Sequence, residues 1–306
     1  MNYFYKYLIV LLVSGWCYCS VFADDLLKTP GTAAVPLLKI GLSARAAGLS
    51  DSFSTIADDI STIYYNPAGL SQIKTTQIYF NHVLWFMDTS IDSVAVGNGT
   101  KDGMAGFGFE YRKVNIEDYA TNLSGSEIKT GGKINYNISV ISLGYSGNTI
   151  TDPHKNTNFR LGIAAKYINQ QIYNTSQEYG IGFDLGLLYG PDASNGYYSV
   201  VFQNLGSAFG QEILPTQLSL ATGVKENTYN ADLEIIQVID NKSKINLGLE
   251  FFMYKIFSLR FGISYQERFS GSFGFGIDAK YLTVDYGYVP HFDLGSTHRF
   301  SLLIKL

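Results

Sequence analysis

From Thr75 onward, apolar and polar residues alternate with a period of two, which is the spacing of a β-strand with one apolar face. The segment FSLRFGISYQ, residues 257–266, places phenylalanine, leucine, isoleucine and tyrosine on one face and mainly serine, glycine and arginine on the other. Turn-forming residues separate such runs, as in GPDASNG and NKSK. We predict fourteen strands, near residues 75–87, 90–97, 103–113, 133–146, 158–173, 178–190, 196–205, 215–225, 230–240, 244–254, 256–267, 270–278, 280–289 and 297–306.

A soluble sandwich or propeller also alternates, but its outer face tends to be charged. Here the polar face is mainly glycine, serine and asparagine, and tyrosines near strand ends are typical of the aromatic girdles of membrane barrels. The tyrosines concerned are Tyr179, Tyr189, Tyr265 and Tyr288. A sheet in hydrocarbon must close, because an open edge leaves backbone groups unpaired. The pattern therefore predicts an all-β fold, a 14-stranded antiparallel transmembrane β-barrel that the final run, HRFSLLIKL, closes.

Loop lengths predict an orientation for this barrel. If the first strand rises from the periplasm, the longest connection, residues 114–132, faces outside, as is usual for such barrels. A thirteen-residue connection around Asp152-Pro153-His154 then faces the periplasm.

Residues 24–74 do not alternate. From Ser52, apolar residues recur at steps of three and four, which predicts a helix capped by Ser52 or Ser54, or a shorter one starting at Asp58-Asp59. These apolar residues are Phe53, Ile56, Ile60, Ile63 and Tyr64. Asn66-Pro67 ends the helix, and Gly69 permits a left-handed turn. Such a helix either hangs in the periplasm or folds into the lumen, and its apolar stripe favours a lumenal plug.

The first 23 residues have the features of a secretory signal peptide. Lys6 precedes an apolar stretch, residues 7–13, and Val21-Phe22-Ala23 forms a small-residue cleavage site. A retained membrane anchor is the alternative. Both cysteines, Cys17 and Cys19, fall in this segment, which leaves no thiol chemistry for the mature chain. We therefore predict export through a Sec signal peptide to the bacterial outer membrane, with a plug segment at 24–74 and a barrel at 75–306.

Composition argues against several classes of function. The net charge is −4 and no basic block occurs, which argues against a nucleic-acid partner. The four histidines, His82, His154, His291 and His298, have no metal-ligand spacing, and no serine, histidine and acid group together. We predict no metal, no cofactor and no enzymatic activity.

Charged residues on the inward phase of the predicted strands have two interpretations: structural pairing across a wet lumen, or a permeation path. They are Glu110, Arg112, Arg160, Lys166, Asp184, Glu250, Arg260, Asp278 and Asp285. Asp58 and Asp59 either begin the plug helix or pair with Arg160 or Arg260 of the wall.

The segment KIGLSARAAGLSDSFSTIADDISTIYYNPAGL, residues 39–70, contains Ala-Arg-Ala-x-Gly, Ala-Asp-Asp and Asn-Pro-Ala-Gly-Leu in succession. This order resembles the N-terminal signature of FadL-like outer-membrane barrels, most closely the PorV/PorQ branch. Asn-Leu-Gly followed by Leu-Pro, within residues 202–224, and the final strand are also similar to that family. The plug motif on which the resemblance depends comprises Arg45, Asp58, Asp59, Asn66, Pro67, Ala68 and Gly69.

The resemblance implies a fourteen-stranded barrel with an N-terminal plug, in agreement with the strand count. It also implies two functions. The first is passive transport of small hydrophobic or amphipathic molecules, with outer-membrane lipids and a hydrophobic small-molecule ligand as partners. The alternative is a PorV-like accessory role in type IX-like secretion or surface assembly, with secretion-machinery proteins as partners. Transport predicts an apolar pocket near the plug and a gap in the wall or plug.

Overall fold

Fourteen long antiparallel strands form the wall of the molecule. The computed structural model describes residues 31–86, 89–119, 133–152, 157–172, 177–191, 196–208, 212–291 and 294–306, so the predicted signal peptide and His154 lie outside the described residues. The strands are β1 (Gln77–Leu84), β2 (Thr89–Gly99), β3 (Ala105–Tyr119), β4 (Lys133–Asp152), β5 (Thr157–Ile172), β6 (Glu178–Pro191), β7 (Gly196–Ala208), β8 (Gln217–Lys225), β9 (Tyr229–Val238), β10 (Lys244–Met253), β11 (Phe257–Gln266), β12 (Arg268–Asp278), β13 (Leu282–His291) and β14 (Gly295–Lys305).

The sheet closes on itself. β1 pairs with β14 from Gln77↔Lys305 to Leu84↔His298, and every other strand pairs with its neighbours in the chain. A two-residue strand, Glu212–Ile213, pairs with β7 alone. The predicted fourteen-stranded closed barrel is confirmed.

Two predicted connections are shorter than expected. β4 runs to Asp152 and β5 begins at Thr157, so the thirteen-residue connection around Asp152 is wrong. Pairing continues past a register shift between Asn148 and Ile150, because polar residues can extend a ladder beyond the apolar band. β3 likewise continues to Tyr119, and the rest of its connection, residues 120–132, lies outside the described residues.

The outer face of the barrel is an apolar band. Large side chains such as Phe107, Leu143 and Ile181 are exposed there, as are the girdle tyrosines Tyr179 and Tyr265. A continuous apolar surface of this kind is typical of a lipid-facing barrel wall. None of the helices in the described residues is long and apolar enough to cross a membrane.

The two ends of the barrel differ in their connections. We call the end at which β1 begins and β14 ends the terminal end, and the opposite end the loop end. Short connections at the terminal end include residues 100–104, 226–228, 254–256 and 279–281. The long connection between β3 and β4 belongs to the loop end.

The described part of the N-terminal segment, residues 31–74, lies inside the lumen and is called the plug. It contains two 3-10 turns, Pro36–Lys39 and Pro67–Gln72, and two single-turn helices, α1 (Ala44–Ala47) and α2 (Thr62–Tyr65). Most of its apolar side chains are buried, including those of the predicted stripe.

The predicted plug helix is present as α2, but its predicted start at Ser52 or at Asp58-Asp59 is wrong, since α2 begins only at Thr62. Residues 52–57 instead turn against the wall, where Asp232 accepts hydrogen bonds from Ser52 Oγ at 2.7 Å and from the Thr55 N–H at 3.0 Å. A lumen that supplies partners on every side removes the need for helical hydrogen bonds. Asn66 ends α2 as predicted.

Gly69 does not form the predicted left-handed turn but lies in the 3-10 turn Pro67–Gln72. Its role is close packing, because a Cβ there would lie 2.8 Å from the Ala57 Cβ.

Candidate functional site

The segment Asn66–Gln72 of the plug lies directly against the main chain of the wall. It faces β2 to β6, where many of the inward positions that it meets are glycines. A Cβ on Gly162 would lie 2.5 Å from the Pro67 carbonyl oxygen, and one on Gly144 would lie 2.7 Å from Leu70 Cδ1. Glycine is required at these positions because no side chain fits between the wall and the plug.

The opposite wall receives the plug in the same way. A Cβ on Gly248 of β10 would lie 2.7 Å from the Leu49 Cβ, and one on Gly48 of the plug would lie 2.9 Å from the Gly274 Cα of β12. The plug is therefore wedged between two glycine surfaces on opposite sides of the barrel.

Hydrogen bonds join the plug main chain to strands around the barrel. The Ala44 N–H donates to Ser301 Oγ of β14 at 2.9 Å, and Ser146 Oγ of β4 donates to the Ala68 carbonyl at 2.8 Å. The Phe53 N–H donates to Glu234 of β9 at 3.2 Å. Because a buried main-chain group is costly to leave unpaired, these bonds fix the plug in one position.

Arg45 is the centre of the charged contacts between plug and wall. Its guanidinium binds Glu250 of β10 through two bonds of 2.8 and 2.9 Å, and it also contacts Asp58 at 2.6 Å and Asp59 at 3.1 Å. Burial alone would lower the Arg45 pKa, but Asp58, Glu250 and Asp59 raise it well above its ordinary value. The predicted pairing of Asp58 and Asp59 with a wall arginine is wrong, because Arg45 of the plug already lies between them and the wall.

The other predicted inward charges fall into two groups. At the terminal end, Arg260 donates to Glu250 at 2.8 Å and to Asp285 at 2.7 Å, and Lys305 binds Asp278 at 2.6 Å. These contacts place three of the predicted acids, Glu250, Asp285 and Asp278, beside Arg45 and its plug partners.

The second group surrounds Tyr64. Glu110 and Arg112 pair at 3.1 Å, and Lys166 and Asp184 pair at 2.7 Å. Arg112 also lies 4.9 Å from the centroid of the Tyr64 ring. Arg160 is half-buried on β5 and belongs to neither group.

Sequence reasoning missed Asp51, Asp232, Glu234 and Arg299. Asp51 binds Arg299 of β14 at 2.7 Å. Burial would raise the pKa of Asp51, but the charge of Arg299 and its hydrogen bond lower it below its usual value. Asp232 and Glu234 flank outward Leu233, and Arg299 precedes outward Phe300. The period-two pattern therefore already indicated that these three wall residues face the lumen.

Two cavities lie on either side of the plug core. The terminal-end cavity has a volume of 360 Å³, and the loop-end cavity has a volume of 170 Å³. No described residue lines both. The terminal-end cavity is lined by residues that include Arg45, Asp58, Asp59, Glu250, Arg260 and Asp285; the loop-end cavity is lined by residues that include Tyr64, Tyr65, Gln203, Gln217, Glu234 and Ile236.

The lining of the terminal-end cavity is mainly polar and that of the loop-end cavity is mixed, so neither is the apolar pocket expected beside the plug. The apolar side chains of the plug pack against one another and against inward residues of the wall. An apolar groove of 530 Å³ does occur, but it lies on the outer face, beside Phe107, Tyr145 and Ile163.

β7 is irregular beside the loop-end cavity. Phe183 pairs with Leu205 and Leu185 with Phe202, so Asp184 of β6 faces two residues of β7. One of them, Asn204, has a φ of 57°, and its N–H donates to Asp184 Oδ1 at 2.8 Å. The extra residue is thus held in place by a lumenal carboxylate.

The pairing of β7 with β8 ends at Gln203↔Gln217, and both residues line the loop-end cavity. Beyond that pair, β7 pairs with the short strand Glu212–Ile213, and the Ala34 N–H of the plug donates to the Ile213 carbonyl at 3.0 Å. Within the described residues, this is a seam at which the ladder between two wall strands stops.

Residues 24–206, more than half of the chain, match the model of a protein family described as "Uncharacterised protein family (UPF0164)". The chain belongs to this family. A search of curated proteins finds no match.

Two solved structures have a similar fold. The toluene transporter TodX of Pseudomonas putida is 11% identical, with a TM-score of 0.59 over 84% of this chain and 96% of that chain. The monoaromatic hydrocarbon channel CymD is 10% identical, with a TM-score of 0.60 over 87% of this chain and 98% of that chain. At such identities the likeness establishes the fold alone, a barrel like those of these two proteins.

Proposed function

We propose that this protein spans the outer membrane, with its loop end outward, and passively transfers small amphipathic molecules that first bind in the loop-end cavity. The observation that carries the proposal is the 170 Å³ cavity between the plug and the wall. A cavity of about 150 Å³ is large enough for benzene, so a one-ring molecule fits. The names of the fold neighbours, a toluene transporter and a monoaromatic hydrocarbon channel, support solutes of this size.

The lining of the loop-end cavity favours an amphipathic solute over a hydrocarbon. Tyr64, Tyr65 and Ile236 supply apolar surface, whereas Gln203 and Glu234 supply hydrogen-bonding groups. Burial raises the pKa values of Tyr64 and Tyr65, so both phenols stay protonated. Charged groups, Asp51 and Lys244 among them, also line the cavity. A pure hydrocarbon would displace water from these groups without offering hydrogen bonds in return, which is unfavourable.

The hydroxyls of the two tyrosines are occupied by the plug itself. Tyr64 donates to the Leu38 carbonyl at 3.0 Å, and Tyr65 donates to Asp51 at 2.9 Å. These bonds fix the two rings, which therefore offer the solute rigid aromatic walls.

The proposed route leaves the cavity at the seam between β7 and β8. The seam borders the cavity through Gln203 and Gln217, whereas the plug residues Phe53, Ile56 and Ile60 are fully buried. The organisation proposed with this function is a signal peptide at 1–23, a plug at 24–74 and a barrel at 75–306. No surface in the described residues favours the secretion role that a PorV/PorQ relationship would imply, so we do not propose it.

The test is uptake through an intact outer membrane, which itself resists such solutes. The protein is expressed in a porin-deficient Gram-negative host, and uptake of radiolabelled benzyl alcohol is measured against the empty vector. Ile236→Trp fills the loop-end cavity, whereas Ile235→Trp adds the same bulk to the outer face of the same strand. We expect uptake above the vector for the unmodified protein and for Ile235→Trp, and uptake near the vector for Ile236→Trp. Uptake equal to the vector for the unmodified protein would refute the function.

A further inference from the structure

The terminal-end cavity has an excess of negative charge. Five carboxylates line it, and only three cationic side chains do. The carboxylates are Asp58, Asp59, Glu250, Asp278 and Asp285, and the cations are Arg45, Arg260 and Lys305. With all groups in their ordinary ionisation states, the lining therefore has a net charge of −2.

Each of the three cations is already engaged by the protein. Arg45 binds Glu250 and both plug acids, Arg260 binds Glu250 and Asp285, and Lys305 binds a single acid at 2.6 Å. Glu250 shares two of these cations and is fully buried. Lys225 of β8 lies near Asp58 but outside the lining, and its ammonium donates to the Ile56 carbonyl and to Gln72 Oε1 instead. The excess charge of the lining consequently lies on the more accessible acids.

Asp58 is the accessible member of the set, with 36% of its side chain exposed. Arg45 contacts its Oδ1, and its Oδ2 has no partner in the described part of the chain. The Asp58 carboxylate is thus open to the cavity, and its Oδ2 is available to accept a hydrogen bond.

A second feature of the cavity is independent of its charge. Thr283 of β13 lines the cavity, is only 9% exposed, and has a hydroxyl oxygen with no hydrogen-bond partner among the described residues. Buried hydroxyls are nearly always paired, so an unpaired one in a cavity wall is a ready partner for a bound molecule.

The geometry does not suit a metal ion. Among the residues that the structure describes, no three His, Cys, Asp or Glu side chains are arranged to hold one. An ammonium group needs only a few oxygen acceptors and one uncompensated carboxylate. A volume of 360 Å³ corresponds to about twelve water molecules, which leaves room for an organic substituent of similar size.

We propose that the terminal-end cavity binds the ammonium group of a small organic cation, with Asp58 as its counterion and the Thr283 hydroxyl as an additional acceptor. Acidic linings select cations in pores for the same electrostatic reason. This cavity lies on the other side of the plug core from the loop-end cavity, so the proposal does not depend on the transport route.

The test compares three probes of one shape in the protein purified in a non-ionic detergent. Benzylammonium, benzyl alcohol and benzoate differ in charge but share a ring, and their binding is measured by calorimetry at fixed ionic strength. We expect benzylammonium to bind and benzoate not to bind. Ile236→Trp, which fills the other cavity, keeps this binding, so failure of the proposed transport and failure of the cation site give different results.

Asp58→Asn removes the accessible charge with little change in shape. A unit charge about 4 Å away is worth roughly a factor of five even in the dielectric of water, so we expect affinity to fall at least about five-fold. Thr283→Val should weaken binding as well. Asp92→Asn is the matched control, because Asp92 is an exposed acid on the outer face, paired with His82 at 2.7 Å. Benzoate binding as tightly as benzylammonium, or equal affinity in Asp58→Asn and Asp92→Asn, would overturn the proposal.

Discussion

Replacing Gly162 by alanine tests whether the plug is seated against the main chain of the wall. The new Cβ would lie 2.5 Å from the Pro67 carbonyl oxygen, whereas ordinary contacts begin near 3.4 Å. The plug must therefore retreat by about 1 Å, since neither main chain is flexible at this contact. That shift also strains the bond from Ser146 to the Ala68 carbonyl, which is 2.8 Å long.

Overpacking of a core costs about 1–3 kcal/mol, and a lost buried hydrogen bond adds about 1 kcal/mol. We therefore expect Gly162→Ala to lower the free energy of unfolding by roughly 2–4 kcal/mol. Gly271→Ala is the matched control, because Gly271 faces outward and its Cβ would meet nothing closer than 3.9 Å. The control should stay within about 0.5 kcal/mol of the unmodified protein.

The assay is urea unfolding of the refolded protein in non-ionic micelles, followed by fluorescence and by the heat-modifiable mobility of the folded barrel on gels. Equal unfolding midpoints for Gly162→Ala and Gly271→Ala would refute the seating of the plug on glycine.

Two other predictions concern charges that hold the plug. Arg45→Leu removes the cation that Asp58 binds and two bonds to buried Glu250. The free energy of unfolding should therefore fall by about 3–5 kcal/mol in the same urea assay. An unchanged unfolding midpoint would show that these contacts of Arg45 do not hold the plug. The Asp51 pKa is lower in the folded state than its unfolded value of about 3.9. Its pair with Arg299 therefore stabilises the protein at pH values above 3.9, roughly the unfolded pKa. This contribution is lost as the pH falls through the lower pKa of the folded state. The unfolding midpoint of Asp51→Asn should therefore lie below that of the unmodified protein at pH 7 and approach it near pH 2, whereas a constant difference between these pH values would argue against the ion pair.

The barrel was predictable because the period-two pattern records which side of each strand faces lipid. The same pattern placed Glu250 and Arg260 inside, where they pair at 2.8 Å. It could not give the end of β4, since residues beyond the apolar band continue the ladder without any apolar signal.

The plug was less predictable for a physical reason. Apolar residues three and four positions apart normally indicate a helix, but Phe53, Ile56 and Ile60 are buried without one, because the lumen surrounds the chain on all sides. The ion pairs of the plug could not be predicted from the sequence either. Arg45 lies thirteen positions before Asp58, and only the fold of the plug brings them together. The bend at Asn204 had a recognisable signal, since asparagine accepts positive φ more readily than most residues.

If the plug is a fixed part of the lumen, as its contacts with the wall indicate, the proposed solutes pass without its movement. Ser54 Oγ of the plug lies 3.1 Å from Ser199 Oγ of β7, so cysteines at both positions are placed to form a disulfide that locks the plug. The double variant Ser54→Cys and Ser199→Cys is made with Cys17 and Cys19 replaced by serine.

The decisive measurement is benzyl alcohol uptake by cells that express the locked variant, before and after treatment with a reductant. Gel mobility of the reduced and oxidised protein verifies the cross-link. A fixed plug predicts equal uptake in the two states, both above the empty vector. Uptake that is lost in the oxidised state and returns on reduction would show that the plug must move during transport.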